Sequence, residues 1–402
     1  MSGTLVNPEI ARLGAHPFPR VAALLEGIEP PPGPVVDLTI GEPRVAPPEW
    51  LGARLAEHGS TLGSYPRNEG TAAFREAASG WLNRRFELDP PLAPDAVMPS
   101  SGAREVLFQL GLLAARDRGR LALMPTPHYA PYRAAARLTG LDAVFLPSAE
   151  DGGFLPDLGE VDRLGPEIAL LTVCSPTNPE GAVADREYLG RAVRLARRHG
   201  FVLAVDECYS EIYRTQAPYG VLRACADLGA DGDPYAQVLA VNSLSKRSSA
   251  PGLRIGFAAG DRELVKGLID LRAYAAGTVG CPNMAAAADL LDDESHVERI
   301  RGFYRELFDA ADAILGGLPG YRSPEAGMFL WLRVDDDEAA AVECWESAGL
   351  RVVPGSYLGP EAHDGTWPAA GYVRVAMVHD LATTRQALER LAPILLKRGV
   401  AA

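Results

Sequence analysis

The chain has 402 residues, with 52 acidic against 39 basic side chains and a formal net charge of −13. That length suits two domains, and 47% hydrophobic with 23% charged residues is the balance of a folded protein with a sizeable core. The acidic balance excludes nucleic acid as the main partner, because phosphate backbones are held by net basic faces, but it leaves room for a small anionic ligand gripped by a few local cations.

The N-terminal stretch MSGTLVNPEIARLGAHPFPR has no basic start followed by an apolar run, so no secretory signal is expected. No apolar stretch is long enough to span a membrane, and a cytoplasmic location is expected. The cysteines at 174, 208, 225, 281 and 344 show no CxxC pairing and read as free thiols. The seven histidines show no HExxH-like spacing, so no metal is expected. A short N-terminal helix should precede a stiff Pro-rich connector at 29–34 (EPPPGP).

From about residue 95 to 260, short apolar runs alternate with helical patterns. The strand candidates are 96–100, 121–125, 143–147, 168–174, 201–206, 237–243 and 254–260. Helical patterns such as REVLFQLGLLAARD (104–117) and REYLGRAVRLARRHG (186–200) lie between them. This alternation predicts an α/β domain with a mostly parallel seven-stranded sheet, whose ligands sit at the carboxyl ends of the strands. After about residue 285 a long helical pattern leads to MFLWLRV, LRVVPG, GYVRVAMV and a final helix, which reads as a smaller α+β domain. The expected division is 41–284 for the large domain, with 1–40 and 285–402 forming the small one.

Several strand ends carry chemistry. After 237–243 comes SLSKRSSAPGLRIGF (243–257), in which Lys246 supplies an amine, and Ser243 and Arg254 supply a hydroxyl and a guanidinium fork. A lysine amine condenses with an aldehyde, and hydroxyls with an arginine neutralise a phosphate. Together these are the parts that pyridoxal 5'-phosphate requires. Asp206 ends the run FVLAVD, where a carboxylate can keep a pyridine nitrogen protonated, and Tyr209 follows at hydrogen-bonding reach of a phenolic oxygen. Asn178, in SPTNPEG (175–181), can reach the same oxygen, although Asn, Pro and Gly are also ordinary turn residues. The segment SSGAR (100–104) lies between a strand and a helix. There the amides of Gly102, Ala103 and Arg104 can bind an anion, and a plain helix cap at Ser101 would account for the segment equally well. Tyr129, in PHYAPY (127–132), can stack on a flat ring or simply fill the core.

As an ordered set, TIGEP (39–43), SYPRNEG (64–70), SGARE (101–105), PTPHY (125–129), SPTNPEG, DECY (206–209), SLSKRSSAPGLRIGF and GYVRVAM (371–377) resemble the class I/II aminotransferases of pyridoxal-phosphate fold type I over nearly the whole chain. The resemblance implies that Lys246 binds the cofactor covalently and Asp206 pairs with its ring nitrogen. It implies that Tyr209 and Asn178 donate to its phenolic oxygen and Tyr129 stacks on it. Ser243, Arg254 and the backbone at 102–104 would hold the phosphate. Tyr65 would reach the phosphate of a neighbouring subunit, implying a homodimer with shared sites. Arg374 would clamp the substrate α-carboxylate, with Gly41 and Asn178 beside it; read from the residues alone, Arg374 could as well be a surface ion pair.

Within that class, NPEIARLGAHPFPRVAALL (7–25), SLSKRSSAPGLR, DESHVERIRGFYRELF (293–308) and VVPGSYLG (352–359) resemble the proteobacterial type of N-succinyldiaminopimelate aminotransferase. That type implies glutamate as donor and small amino and oxo acids as the only partners. The chain departs from the pattern at His16, where an aromatic is usual, at Ser249 (usually Asn), at Glu180 (usually Thr), and before GYVR, where Asn-Pro-Gly is missing. Such substrates need a second cation, for which Arg104, Arg67 and Arg272 are candidates. An aspartate, alanine or aromatic aminotransferase, a β-lyase using the same cofactor, and a non-enzymatic ligand-sensing regulator are the alternative readings.

Overall fold

Apolar runs of four to seven residues, bounded by turn residues, suit strands buried on both faces. The computed structural model describes residues 5–400 except 115, 116, 118 and 276. Its large sheet consists of β1 (Val97–Ser100), β2 (Leu121–Thr126), β3 (Asp142–Pro147), β4 (Ile168–Cys174), β5 (Val202–Asp206), β6 (Val238–Ser243) and β7 (Gly256–Gly260). All seven expected strands are present, in the spatial order β1-β7-β6-β5-β4-β2-β3. The pairs from β6 through β3 are parallel, whereas β7 runs antiparallel to both β1 and β6. Every residue of β4 is buried, as a two-sided strand requires. The last strand starts two residues later than its apolar run, because Arg254 adopts a left-handed conformation with φ +53° and ends the preceding turn.

Crossover helices cover the sheet. Arg186–His199 is capped by the Asp185 carboxylate, which accepts from the Tyr188 amide at 2.8 Å, and is stopped by Gly200 at φ +80°. Its Leu189, Ala192, Val193, Leu195 and Ala196 are buried and its arginines face outward. The expected helix 104–117 is seen as Ala103–Leu113; residues 115 and 116 of that pattern lie outside the described residues.

A smaller antiparallel sheet, in the order β9-β10-β8, is built from β8 (Phe329–Arg333), β9 (Val353–Pro354) and β10 (Tyr372–Ala376). Arg374 stands opposite Trp331 on one side and Val353 on the other. Helices Ser295–Leu315 and Leu381–Arg398 supply much of its core. Residues 36 and 37 pair in parallel with 350 and 351, which carries the early chain along this sheet and then into the cleft. Among the described residues no helix is long and apolar enough to cross a membrane, no cluster of potential metal ligands occurs, and the five cysteines are unpaired.

One charged junction ties the helices together. The buried Glu211 carboxylate accepts from Arg85 Nε at 2.8 Å and from Arg301 Nη2 at 3.2 Å. Arg85 belongs to helix Ala72–Phe86 and Arg301 to helix Ser295–Leu315. Removing one member of a buried ion network strands the other charges. Glu211→Ala should therefore lower unfolding stability by roughly 3–5 kcal/mol, nearer the lower figure because Arg301 keeps Glu298 as a partner. Denaturant unfolding followed by circular dichroism checks this, and an unchanged midpoint would contradict it.

Candidate active site

In a parallel sheet the chain leaves every strand at the same rim, so residues far apart in sequence meet there. Asp206 ends β5 and Lys246 lies in the short helix Leu244–Arg247 after β6. Asn178 follows β4 and Tyr129 follows β2, so four adjacent strands contribute one side chain each. Because β7 is antiparallel, its beginning lies at this rim: Gly256 pairs with Ser243 and with Ser100. That pairing brings Arg254 to the start of helix Ala103–Leu113, where its Nη2 donates to the Ser101 carbonyl at 3.2 Å and its Nη1 to the Pro251 carbonyl at 3.0 Å. The N-cap of the helix is Gly102 at φ +80°, without a side-chain cap, so the simple cap at Ser101 is not what forms. A Cβ on Gly102 would stand 2.5 Å from Arg254 Nη2, which explains the glycine. Ser243 is buried and its Oγ accepts from the Ser245 amide at 3.2 Å.

Asp206 is buried, and burial pushes its pKa up. Two donors oppose that: the Tyr132 hydroxyl at 2.6 Å and the Cys208 amide at 3.1 Å. Tyr132 is absent from the sequence-based set, although its spacing of three from Tyr129 at a helix start was a usable signal. The two rings meet edge to face, with centroids 5.8 Å apart. Tyr129 in turn accepts at its hydroxyl from Arg104 Nε at 2.8 Å.

The opposite wall comes from the small sheet. Arg374 is buried and lies 4.5 Å over the Phe329 ring. Its Nη1 donates to Asn178 Oδ1 at 3.2 Å and its Nη2 to the Thr39 carbonyl at 2.8 Å. The Asn178 amide donates onward to the Tyr209 hydroxyl at 3.4 Å. Burial lowers the Arg374 pKa to about 10, so it stays charged at neutral pH, and its Nε has no partner. It is therefore a buried cation held by carbonyl and amide oxygens, not a surface ion pair. Lys246 Nζ donates to the Gly41 carbonyl. A Cβ on Gly41 would stand 2.3 Å from Phe329 Cζ, so only glycine lets this segment pass. Burial lowers the Lys246 pKa to about 8.

Among the described residues, Lys246, Arg254, Arg374 and Arg104 have no carboxylate at ion-pair distance, in a chain with a net charge of −13. Two other expected cations are committed elsewhere. Arg272 is fully buried, pairs with Glu105 at 3.0 Å and donates to the Asn68 carbonyl at 2.9 Å. Arg67 is exposed and pairs with Glu69 at 2.5 Å. Neither is free to meet a ligand. Tyr65 is fully exposed, and no contact ties it to the other site residues of its own chain.

The family model described as aminotransferase class I and II matches residues 33–391. The chain belongs to this family. It is 33% identical to the 4-dedimethylamino-4-oxo-anhydrotetracycline transaminase OxyQ of Streptomyces rimosus, over 86% of this chain and 89% of that protein. It is 29% identical to an LL-diaminopimelate aminotransferase of Syntrophobacter fumaroxidans, over 89% of this chain and 90% of that one. A solved aminotransferase from Neisseria meningitidis superposes with a TM-score of 0.90 at 34% identity, covering 97% of this chain and 99% of that one. The protein is thus an aminotransferase of pyridoxal-phosphate fold type I, and its cofactor is pyridoxal 5'-phosphate.

The residues at the rim fit that group. A buried amine without an acid partner, an uncapped helix start beside an unpaired guanidinium, and a buried carboxylate at the far side match its aldehyde, phosphate and ring nitrogen in kind. In the cofactor-free protein, Lys246 should react with an amine-directed reagent with a midpoint near pH 8, its depressed value. The exposed Lys266 and Lys397, the only other lysines in the sequence, should follow with midpoints near the ordinary ~10.4. Peptide mass spectrometry across a pH series reads both, and a Lys246 midpoint above 10 would contradict the buried environment.

Proposed function

We propose that this aminotransferase moves the amino group between glutamate/2-oxoglutarate and a diaminopimelate-type acid, N-succinyl-LL-2,6-diaminopimelate in the first instance. The reading rests on the resemblance at 7–25, 243–254, 293–308 and 352–359. Relatives that carry the printed name LL-diaminopimelate aminotransferase support the carbon skeleton but carry no succinyl group in that name. The unmodified LL-diaminopimelate is accordingly the second reading.

The observation that carries the site assignment is the buried, uncompensated charge of Arg374. A buried cation without a counter-ion is costly, so the site is built to receive an anion. We assign that anion as the substrate α-carboxylate, gripped by the planar fork with the Asn178 side chain and the backbone at Gly41 beside it. Lys246 would carry the cofactor, Asp206 would hold its ring nitrogen protonated, Tyr209 and Asn178 would meet its phenolic oxygen, and Tyr129 would cover its face. Arg254, Ser243 and the amides of Gly102, Ala103 and Arg104 would hold its phosphate. Bound pyridoxal phosphate supplies an aldehyde that condenses with amines and a ring that spreads the charge left by a departing Cα proton.

The chain's own work is positioning and proton transfer. Arg374 fixes the α-carboxylate at two points and so aims the Cα–H bond at Lys246 Nζ. Lys246, with a pKa near 8, is partly neutral at physiological pH and can take that proton and hand it on. The Tyr132 hydroxyl and the Cys208 amide keep the Asp206 carboxylate oriented and ionised. We further assign the fully exposed Tyr65 to the active site of a second copy, making the enzyme a homodimer with shared sites.

The deciding experiment is to add N-succinyl-LL-diaminopimelate to the yellow holoenzyme without any oxo acid. The visible band should bleach, and 2-oxoglutarate should restore it. If LL-diaminopimelate bleaches the band and the succinylated compound does not, the second reading holds; if neither does, both substrate readings fall. Lys246→Ala should abolish turnover and covalent retention of the cofactor. Arg374→Lys should raise KM and lower kcat/KM by roughly ten- to a hundredfold, because a point charge cannot replace a fork. Unchanged kinetics would place the α-carboxylate elsewhere.

A further inference from the structure

The early chain bridges the two sides of the cleft. On one side it is tied to helix Ala130–Thr139, where Arg137 Nε meets Glu9 Oε2 at 3.1 Å and Arg133 donates to the Leu13 carbonyl. On the other, helix Pro17–Leu24 and the turn after it bury Val21 and Leu25 against Trp345 and Val353. Arg20 lies 3.6 Å over the Tyr357 ring, and Trp345 Nε1 donates to the Ile28 carbonyl at 2.7 Å. His16 sits between these anchorages, at the start of helix Pro17–Leu24, and makes no side-chain cap there.

The imidazole of His16 has no hydrogen-bond partner among the described residues, and its ring tilts against Phe18 at 4.9 Å. Desolvation and two charges act on it, and both charges are cations: Arg104 from the large-sheet side and Arg374 from the small sheet. Arg104 is unusual in its own right. It is exposed near the start of a helix, where the backbone dipole disfavours a positive charge, and no acid compensates it. Its Nε is fixed by the Tyr129 hydroxyl, and its two Nη groups have no acceptor among the described residues. Tyr129 leads through Tyr132 to Asp206, so Arg104 stands on the side of the cleft assigned to the cofactor face.

We propose that Arg104 and His16 form the seat of a second anionic group on the substrate, so that the enzyme selects amino and oxo acids bearing a distal carboxylate. The arrangement leaves Arg374 to the α-carboxylate and gives the distal one a guanidinium with two open N–H edges and an imidazole nitrogen beside it. This inference rests on the assignment of Arg374 given above. It makes His16, supplied by the segment that roofs the cleft, a specificity-determining residue.

The test is equilibrium binding of two unreactive acids to the holoenzyme by calorimetry: glutarate, with a distal carboxylate, and butyrate, without one. Wild type should bind glutarate more tightly. Arg104→Gln should reduce the glutarate-to-butyrate preference roughly tenfold or more, and His16→Phe should reduce it roughly two- to fivefold, as expected for loss of a charge-assisted and a weaker hydrogen bond. Both residues are at the surface, so folding is not at risk. A wild type that does not discriminate, or a preference unchanged in Arg104→Gln, overturns the proposal. Arg374→Lys separates the two readings, because it should weaken both acids together; if it weakens neither, the assignment of Arg374 fails instead.

Discussion

Two buried cations are held by one short piece of backbone, and the rest of the site is arranged around them. The Thr39 carbonyl accepts from Arg374 and the Gly41 carbonyl accepts from Lys246, two residues further along. Neither cation has a carboxylate within ion-pair distance among the described residues. Carbonyl dipoles orient a charge but do not neutralise it, so both groups stay electrostatically unsatisfied in a protein that has acidic residues to spare. Burial responds by lowering both pKa values, to about 8 for the amine and about 10 for the guanidinium. The first shift yields an amine that can act as a base near neutrality; the second is too small to discharge the arginine. One physical cause thus produces a proton acceptor and an anion clamp side by side.

That pair can form only because two sheets meet across the segment. The pairing of Val36 with Leu350, and the Ala376 amide on the Leu38 carbonyl at 2.8 Å, fix the approach of residues 36–41 to the small sheet. The glycine at 41 then lets Phe329 come close enough to underlie Arg374. From the other side, parallel strands deliver Asp206, Asn178, Tyr129 and Lys246 to one rim by topology alone. The reversed β7 adds Arg254, which a uniformly parallel sheet would have placed at the opposite end. Reversal of a single strand therefore accounts for the gathering of a guanidinium and an uncapped helix start in one place.

Much of this was legible in the sequence, and the reasons differ by residue. Strands buried on both faces are continuous apolar runs, so all seven were visible, and the residues just past their ends were automatically candidates. Arg374 carried no such signal: in an alternating strand an inward arginine and a surface arginine look alike, and only the absence of an acid partner in space distinguishes them. Arg272 failed in the opposite direction. It resembles a free cation in sequence, but Glu105 lies 167 residues away along the chain and 3.0 Å away in space. Tyr132 was hidden because its role is to support Asp206, and support of this kind depends on a contact between two loops that no local pattern encodes.

The departures from the family pattern sort themselves by the same criterion. Ser249 stands where Asn is usual because the backbone there is left-handed, at φ +48°, a conformation Asn tolerates well; the serine hydroxyl is turned inward onto the Val45 carbonyl. Glu180 is buried, burial raises its pKa to about 8, and its own carbonyl accepts from Arg322, so the change is absorbed by packing behind Asn178. In the segment before β10, the Trp367 indole donates to the Gly359 carbonyl at 2.7 Å, which anchors the loop without the missing Asn-Pro-Gly. Each of these three is answered by a partner inside the protein. The His16 ring has no such answer: no hydrogen bond holds it, and the charges that face it are the two arginines of the cleft. A substitution satisfied internally alters how the fold is held, whereas one left unsatisfied at the mouth alters what the fold admits. The difference between this enzyme and its relatives in substrate choice is therefore concentrated at the roof of the cleft, and the floor that does the proton transfer is left as the family has it.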